Sequence, residues 1–237
     1  MEHDIVQGLL HFSQYFKGFE KDYIIIGGIA TALNQRRYGS TSKATKDIDL
    51  IVLDEAENSK FVDRFVQYIN EVDYQFKGKY KEGERILYQF KTPINREAPE
   101  MIELFTIQDL EKPELRFERI YGTEHYAYVS AIVFNSDYRE LIEHFRIDYS
   151  NLSIAAPEAL IALKALAYVN YKEAGDTRSQ QKHFDDIKSL AGFVEEEKVE
   201  VSDNIFNNIS IVVEELKKVR GKEDIAENLL KIFVKKT

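Results

Sequence analysis

Two aspartates separated by one residue, Asp47 and Asp49, have the residue type and spacing best suited to chemistry in this chain. They lie in the run DIDLIVL, which is apolar, rich in β-branched residues and therefore predicts a strand. Side chains alternate between the two faces of a strand, so both carboxylates share one face, opposite Ile48, Leu50 and Val52. The alternative is a strand end whose aspartates simply point into water.

A carboxylate pair of this kind suits a divalent metal ion. Two carboxylates on a buried strand are costly unless a cation neutralises them, and oxygen ligands favour Mg²⁺ or Mn²⁺ over zinc. Two such ions about 3.5 to 4 Å apart can hold the attacking and leaving oxygens of a phosphoryl displacement. A third carboxylate is expected, and Glu103 in the predicted strand MIELF is the best candidate, because Ile102 and Leu104 would face the core. The alternative for Glu103 is an ordinary half-exposed strand.

A pair of glycines precedes the aspartates along the chain. Gly27 and Gly28 follow the apolar run from Tyr23 to Ile26, a predicted buried strand, and open a predicted helix over 29–35. Glycine lets backbone N–H groups approach a phosphate, and a helix N-terminus favours negative charge. The run GGIATA is neither a dinucleotide fingerprint nor a P-loop, because the later glycines and the GK[ST] are missing. The alternative is an ordinary tight turn.

Composition and charge restrict the class of protein. The chain has 237 residues, of which 44% are hydrophobic and 31% charged, as in a globular protein. It has no cysteine, which excludes disulfides, thiolate zinc sites and cysteine nucleophiles. The net charge of -9 argues against a protein that coats nucleic acid.

The charged residues just before Asp47 are nevertheless all basic. They are Arg36, Arg37, Lys43 and Lys46. A basic region beside a carboxylate site suits a polyphosphate substrate, although a solvated loop would have the same composition.

No segment predicts export or a membrane span. The first 16 residues have neither a basic start nor a continuous apolar run, so we expect no signal peptide there. No stretch of about 18 apolar residues is present, so we expect no contact with a membrane. The default prediction is a cytoplasmic protein.

Residues 1–150 are predicted to mix helices and strands. Helical spacing of apolar residues predicts helices over about 4–18 and 56–70, and the segment 137–149 fits either a helix or an extended chain. Apolar, β-branched runs predict further strands at 74–76, 85–91, 101–107 and 126–134.

Residues 151–237 are predicted to be helical. Pro157 begins a helix that ends at Gly175, since proline favours the first helical position and glycine the end. Three more helices are predicted at about 179–194, 202–219 and 222–235. We therefore predict an α+β fold, with a mixed-sheet core over 1–150 and a helical C-terminal domain over 151–237 that contributes to the active-site cleft.

The order of these motifs resembles a known superfamily. A strand, GG, a short helix and DxD on the next strand resemble the nucleotidyltransferases related to DNA polymerase β. Two later segments, SIAAPEALIALK from Ser153 to Lys164 and KHFDDI from Lys182 to Ile187, are similar to the SPExLIALK and KDxxDI helices of the AbiEii family. This family comprises abortive-infection toxins of type IV toxin–antitoxin systems, and the resemblance covers about residues 20–195.

The resemblance implies a nucleotidyltransferase-like sheet core and roles for residues in its first half. Gly27 and Gly28 would bind nucleotide phosphate, while Asp47 and Asp49 would bind metal. Thr45 matches the TxD position before the aspartates and belongs with the nucleotide-binding residues.

The resemblance also implies roles for the later helices. Lys164 would reach the triphosphate, and Lys182 and Asp186 would line the same cleft. His183 departs from the family, in which aspartate is usual at that position. From the residues alone, Lys164 could extend to solvent beside an apolar stripe, and Asp186 could be plain surface. Glu103 rests on the strand argument, because the third carboxylate varies within the family.

These observations lead to one function and two alternatives. We expect transfer of a nucleotidyl group from an NTP to an acceptor hydroxyl of RNA, protein or a small molecule, with Mg²⁺ or Mn²⁺ as cofactor and an antitoxin protein as a partner. Asp47, Asp49, Glu103 and Lys164 would carry the catalysis through positioning and electrostatics. The first alternative is a catalytically silent relative that acts by binding a protein partner. The second is a metal-dependent phosphohydrolase that uses the same carboxylates.

Overall fold

The computed structural model of the chain describes residues 8–41, 45, 47–53, 59–81, 84–108, 117–121 and 128–236. The chain divides into two compact units. Unit 1 comprises 1–32, 42–136 and 147–154, and unit 2 comprises 33–41, 137–146 and 155–237. Each unit therefore draws on segments that are distant in sequence.

A mixed β-sheet forms the centre of unit 1. Its strands are β1 (Tyr23–Ile26), β2 (Asp47–Val52), β3 (Tyr74–Lys81), β4 (Glu84–Pro93), β5 (Met101–Gln108), β6 (Phe117–Tyr121), β7 (Tyr128–Asn135), β8 (Arg146–Tyr149) and β9 (Leu152–Ala155). The strands lie in the order β3-β4-β5-β2-β1-β9-β8, with β7 pairing with both β5 and β6. β2 runs parallel to β5 and antiparallel to β1, which confirms the predicted mixed sheet.

Aromatic side chains cover one face of this sheet. They come from helices α1 (Leu9–Tyr15) and α3 (Ser59–Glu71) and from Phe16 just after α1. The Phe16 ring lies 5.1 Å from Tyr68 and 5.4 Å from Phe61, and Phe61 in turn lies 5.6 Å from Tyr23 on β1. Burial of these large rings supplies much of the apolar stabilisation of unit 1 and fixes which sheet face is covered.

Helices dominate unit 2. They are α4 (Arg139–His144), α5 (Pro157–Glu173), α6 (Thr177–Leu190), α7 (Asp203–Leu216) and α8 (Glu223–Ile232). Helix α2 (Gly27–Arg37) begins in unit 1 and ends in unit 2. The Asp176 side chain caps α6 by accepting a hydrogen bond from the Ser179 N–H, and Ser202 caps α7 through the Ile205 N–H.

The predicted C-terminal helix ends earlier than the sequence pattern indicates. Residues 233–235, predicted as helix, form strand β11 (Phe233–Lys235), which pairs in parallel with β10 (Val199–Val201). The prediction was wrong there because the pairing partner lies more than 30 residues away, beyond the reach of a local periodicity.

Other differences have the same origin. The ambiguous segment 137–149 contains both a helix and a strand, α4 and β8. Strands β6 and β9 were not predicted, and each is fixed by pairing with another strand. Residues 1–7 and 54–58, within or beside the first and second predicted helices, lie outside the described residues. Among the helices that are described, none combines the length and apolar character needed to cross a bilayer.

Candidate functional site

Strand pairing in unit 1 brings the three predicted carboxylates to one face of the sheet. In the parallel ladder of β2 and β5, Asp49 lies opposite Glu103, while Asp47 lies two residues earlier on the same face. Neighbouring strands lie about 4.8 Å apart, so the Asp49 and Glu103 side chains emerge next to each other. The other face of both strands is fully buried at Ile48 and Ile102. The sequence-based strand argument for Glu103 is thus supported by the register.

The glycine turn directly contacts the sheet face that carries Asp47, Asp49 and Glu103, here called the carboxylate face. Gly27 follows β1, has a φ of 68° and starts α2. A Cβ added to Gly27 would lie 1.8 Å from the Asp49 Oδ2, and one added to Gly28 would lie 3.0 Å from the Thr45 Oγ1. Any side chain at Gly27 would displace the carboxylate, and a positive φ also disfavours other residues. Four predicted residues, two glycines, Thr45 and Asp49, are therefore brought together.

The start of helix α2 adds a favourable electrostatic environment. The first backbone N–H groups of a helix have no partner within the helix and carry partial positive charge. Because α2 begins at Gly27, these groups lie beside the Asp49 carboxylate. The turn therefore combines open backbone, N–H donors and adjacent carboxylates, which suits a phosphate bridged to the aspartates by a cation.

Two residues that the sequence reasoning missed extend the carboxylate face. Gln89 and Lys91 on β4 lie opposite Glu103 and Met101 on β5. The Gln89 Nε2 donates a hydrogen bond of 3.3 Å to the Glu103 Oε1. Alternation along β4 is visible in the sequence, but only the register shows that Gln89 and Lys91 share the face of Glu103.

The environment of Glu103 raises the pKa of its carboxyl group. Burial is the main cause that raises the pKa of Glu103, and the negative charge of Asp47 raises it further. The positive charge of Lys91 acts in the opposite direction. Glu103 therefore holds a proton more readily than an exposed glutamate.

A cavity of about 540 Å³ opens next to Asp47. Its wall is formed by the end of β4, the start of β5 and the connection between them, with Lys91, Arg96, Glu100 and Met101 among the lining residues. The cavity thus carries charges of both signs.

The donor set suits a divalent ion that substrate oxygens help to bind. Within the described parts of the chain, no group of three or more Asp, Glu or His side chains is arranged to hold a metal ion. Mg²⁺ commonly needs only one or two carboxylates, together with water and substrate phosphates, because it gives up its hydration reluctantly. Asp47 and Asp49 can provide those two carboxylates, while the Glu103 side chain accepts a hydrogen bond from Gln89.

Two of the three predicted residues in unit 2 form a buried ion pair. The Lys164 Nζ on α5 lies 2.6 Å from the Asp186 Oδ2 on α6, and Lys164 is only 4% exposed. The alternatives of a solvent-extended Lys164 and a plain surface Asp186 are therefore wrong. Lys182 lies exposed on α6. The nucleotide-contacting roles of these three residues stay predictions.

His183 sits beside this pair and is held in its neutral form. Its ring stacks on Tyr171, with centroids 5.4 Å apart and planes 11° apart. Burial lowers the pKa of His183 to about 4, and the positive charge of Lys164 lowers it further. The lowered pKa of His183 depends on packing that the sequence does not reveal.

The predicted basic region before Asp47 is only partly described. Lys43 and Lys46 lie outside the described residues. In unit 2, the Arg37 guanidinium lies 3.9 Å from the Glu195 carboxylate, and the neighbouring Tyr38 ring stacks on Phe193. Arg37 therefore has an acidic neighbour within its own unit.

Comparison with known proteins finds similarity to a family model and to a solved structure. The family model for the nucleotidyl transferase AbiEii toxin of type IV toxin–antitoxin systems matches residues 15–234. Among solved structures, the chain is similar to an antigenic nucleotidyltransferase-like protein from Paracoccidioides brasiliensis, with 16% identity, 94% of this chain and 90% of that chain covered, and a TM-score of 0.53. That similarity concerns the fold alone. No significant match is found among curated proteins.

We predict that Gly27→Ala disrupts the carboxylate face. The new methyl group would overlap the Asp49 carboxylate, so Mn²⁺ affinity, measured by electron paramagnetic resonance titration, should fall at least about tenfold. Gly39→Ala is the matched control, because Gly39 has a φ of 70° and nothing within 4 Å of an added Cβ. It should lower stability by about 1–2 kcal/mol without changing Mn²⁺ affinity. Equal metal affinities in the two variants would contradict the contact.

A second prediction concerns the buried ion pair of unit 2. Asp186→Ala should lower the free energy of unfolding by about 2–4 kcal/mol, because it leaves the Lys164 ammonium buried without its carboxylate. Lys164→Met leaves the Asp186 carboxylate without its partner, but 23% of that side chain is exposed to water, so this variant should cost less than Asp186→Ala. Chemical denaturation measures both values. If Asp186→Ala lowers the free energy of unfolding no more than Lys164→Met does, another group must compensate the charge of Lys164.

A third prediction follows from the lowered pKa of His183. Unfolding restores a pKa near 6.5, so between about pH 6.5 and pH 4 the unfolded chain binds one more proton at this residue than the folded chain. Stability should therefore fall as the pH drops through this window, by about 2–3 kcal/mol at pH 4.5. His183→Gln should remove this part of the pH dependence in denaturation curves. Identical pH profiles for the variant and the unmodified chain would rule out the effect.

Proposed function

Since the chain belongs to the AbiEii family of nucleotidyl transferase toxins, we propose that it transfers a nucleotidyl group from an NTP to an acceptor hydroxyl with the help of a divalent metal ion. The observation that carries this proposal is the contact between the Asp49 carboxylate and the Gly27 turn. This contact supports the proposal because phosphoryl transfer needs backbone donors and a metal-binding side chain around the same triphosphate.

The residues of unit 1 divide the work as follows. The N–H groups at Gly27 and Gly28 bind triphosphate oxygens, and the Thr45 hydroxyl lies against Gly28 to support the turn. Asp47 and Asp49 would hold Mg²⁺ or Mn²⁺. When bound, the ion offsets the negative charge of the phosphates and of the reacting oxygens. The remaining contribution of the protein is positioning and electrostatic stabilisation.

The transfer itself exchanges one phosphoester bond for another. The acceptor oxygen forms a bond to the α-phosphorus, the bond from that phosphorus to the bridging oxygen breaks, and pyrophosphate leaves. The hydroxyl proton passes to a base, and we assign this role to Glu103, which emerges next to Asp49 on the adjacent strand. The Gln89 amide holds Glu103 in place through its hydrogen bond. The alternative role of Glu103 is a further metal ligand.

We further propose that the chain acts as the toxin of a toxin–antitoxin pair, with an antitoxin protein as its counterpart. This proposal rests on the family to which the chain belongs. If the transfer reaction is responsible for toxicity, the growth inhibition produced by the expressed chain should require the same two aspartates. Toxicity that survives without them would instead favour action through binding alone.

The test is a transfer assay with α-labelled NTPs, Mg²⁺ or Mn²⁺, and candidate acceptors, namely total RNA, protein and small hydroxyl compounds. The double variant Asp47→Asn/Asp49→Asn should lower the rate of transfer at least about a thousandfold, because neither metal-binding carboxylate remains beside the reacting phosphate. Lys60→Gln, a change at an exposed residue of unit 1, is the control. Transfer that persists without the two aspartates would refute the site.

The same assay, combined with a measurement of Mn²⁺ affinity, separates the alternative functions and the two roles of Glu103. If Glu103→Gln lowers kcat at unchanged Mn²⁺ affinity, Glu103 acts as the base. If it lowers Mn²⁺ affinity, Glu103 is a metal ligand. NTP binding without turnover would favour a silent binding protein. Release of free phosphate without labelled acceptor would favour a phosphohydrolase.

A further inference from the structure

We propose that the cavity beside Asp47 binds the acceptor substrate, and that this acceptor carries a phosphate group close to its reacting hydroxyl. The inference deepens the proposed function and rests on it. It assigns a binding role to Lys91 and Arg96, which lie outside the glycine turn and the aspartate pair.

The position of the cavity relative to β2 points to the acceptor. Within the sheet the strands run in the order β4-β5-β2-β1, so the glycine turn after β1 and the cavity at the β4–β5 connection lie on opposite sides of β2. In an in-line displacement the attacking and leaving oxygens lie on opposite sides of the phosphorus atom. If the pyrophosphate leaves on the glycine side, the acceptor hydroxyl must approach from the cavity side.

The side chains of the carboxylate face connect the two regions. Asp47 lines the cavity, and its Cα partner Met101 also lines it. Lys91 is the next residue in the same cross-strand row, opposite Met101. A second cross-strand row lies next to the row of Asp47, Met101 and Lys91, and it consists of Asp49, Glu103 and Gln89. An acceptor in the cavity would therefore have its hydroxyl near Asp47 and near the proposed base on the neighbouring row.

The charges of the cavity favour an anionic group on the acceptor. Lys91 and Arg96 contribute two cations, against the carboxylates of Glu100 and Asp47. Because the metal ion offsets Asp47 in the proposed reaction, the cations prevail in the loaded site. Arginine presents a planar fork of donors that matches phosphate oxygens, and lysine adds a compact charge. A phosphate on the acceptor can accept hydrogen bonds from both.

The wall of the cavity is held in place before any ligand binds. The Tyr74 hydroxyl donates a buried hydrogen bond of 2.8 Å to the Pro99 carbonyl oxygen. The Thr92 N–H bonds to the Glu100 carbonyl oxygen, and Thr92 itself has a left-handed φ of 57°. Gly8 packs so tightly on the 98–99 peptide that an added Cβ would lie 2.1 Å from the Pro99 nitrogen. A preformed wall lowers the ordering cost of binding.

The volume of the cavity limits the size of the bound group. About 540 Å³ is within the range of roughly 300–1,000 Å³ that small-molecule sites occupy. This space accommodates one sugar phosphate or one nucleotide unit. The same chemistry is present in a free phosphorylated sugar and in the terminal nucleotides of an RNA strand, so the experiment must distinguish these two sources.

The test measures binding to the full chain by isothermal titration calorimetry, with Mg²⁺ and a non-hydrolysable NTP analogue present. The probes are ribose 5-phosphate, the trinucleotide r(UUU), and unphosphorylated ribose as the control ligand. We expect one phosphate-bearing probe to bind together with the NTP analogue and ribose to bind at least tenfold more weakly. Arg96→Gln and Lys91→Gln should each weaken that probe by about tenfold, the loss expected for a charge-assisted hydrogen bond. Arg96→Gln should leave the affinity for the NTP analogue unchanged.

The controls separate this inference from the proposed function. Lys60→Gln removes one charge from an exposed position of unit 1 and should change neither affinity. Preference for r(UUU) identifies nucleic acid as the source of the phosphate, and preference for ribose 5-phosphate identifies a small molecule. If the NTP analogue binds but neither probe does, or if both cavity variants bind the probe normally, the inference is overturned alone. If the NTP analogue fails to bind, the proposed function falls as well.

Discussion

The contact between the Asp49 carboxylate and the backbone of Gly27 is the constraint on which the candidate site depends. The carboxylate occupies the space that any Cβ at Gly27 would need. The chain can therefore place an acidic side chain against a helix start only because residue 27 is glycine. The helix N-terminus in turn favours the negative charge of Asp49, so the packing and the electrostatics support the same arrangement.

The buried face of the sheet holds the carboxylate face in register. Ile48 and Ile102 are fully buried, so slipping β2 by one residue would turn its aspartates into the aromatic core. Each such slip would bury two carboxylates among apolar groups, which costs far more than a lost hydrogen bond. The alternation of apolar and acidic residues thus keeps Asp49 and Glu103 on the same face of the sheet as a consequence of core formation.

Unit 2 uses buried charge in a different way. Lys164 and Asp186 join helices α5 and α6 through an ion pair that is largely removed from water. The neighbouring His183 stays neutral, since burial and the Lys164 charge both oppose its protonation. A neutral side chain at position 183 adds no further buried charge beside that pair.

The sequence by itself determined the local elements and the residue types of the site. DIDLIV and YIII are strands because their apolar residues are β-branched, and the Gly27 turn follows because only glycine has the required conformational freedom. Tertiary structure decided the features that depend on pairing between strands far apart in sequence. These are the strand at 233–235 and the cross-strand pairing that adds Gln89 and Lys91 to the carboxylate face. A local pattern specifies which side of a strand is buried, but the packing of the whole core determines which strand pairs with it.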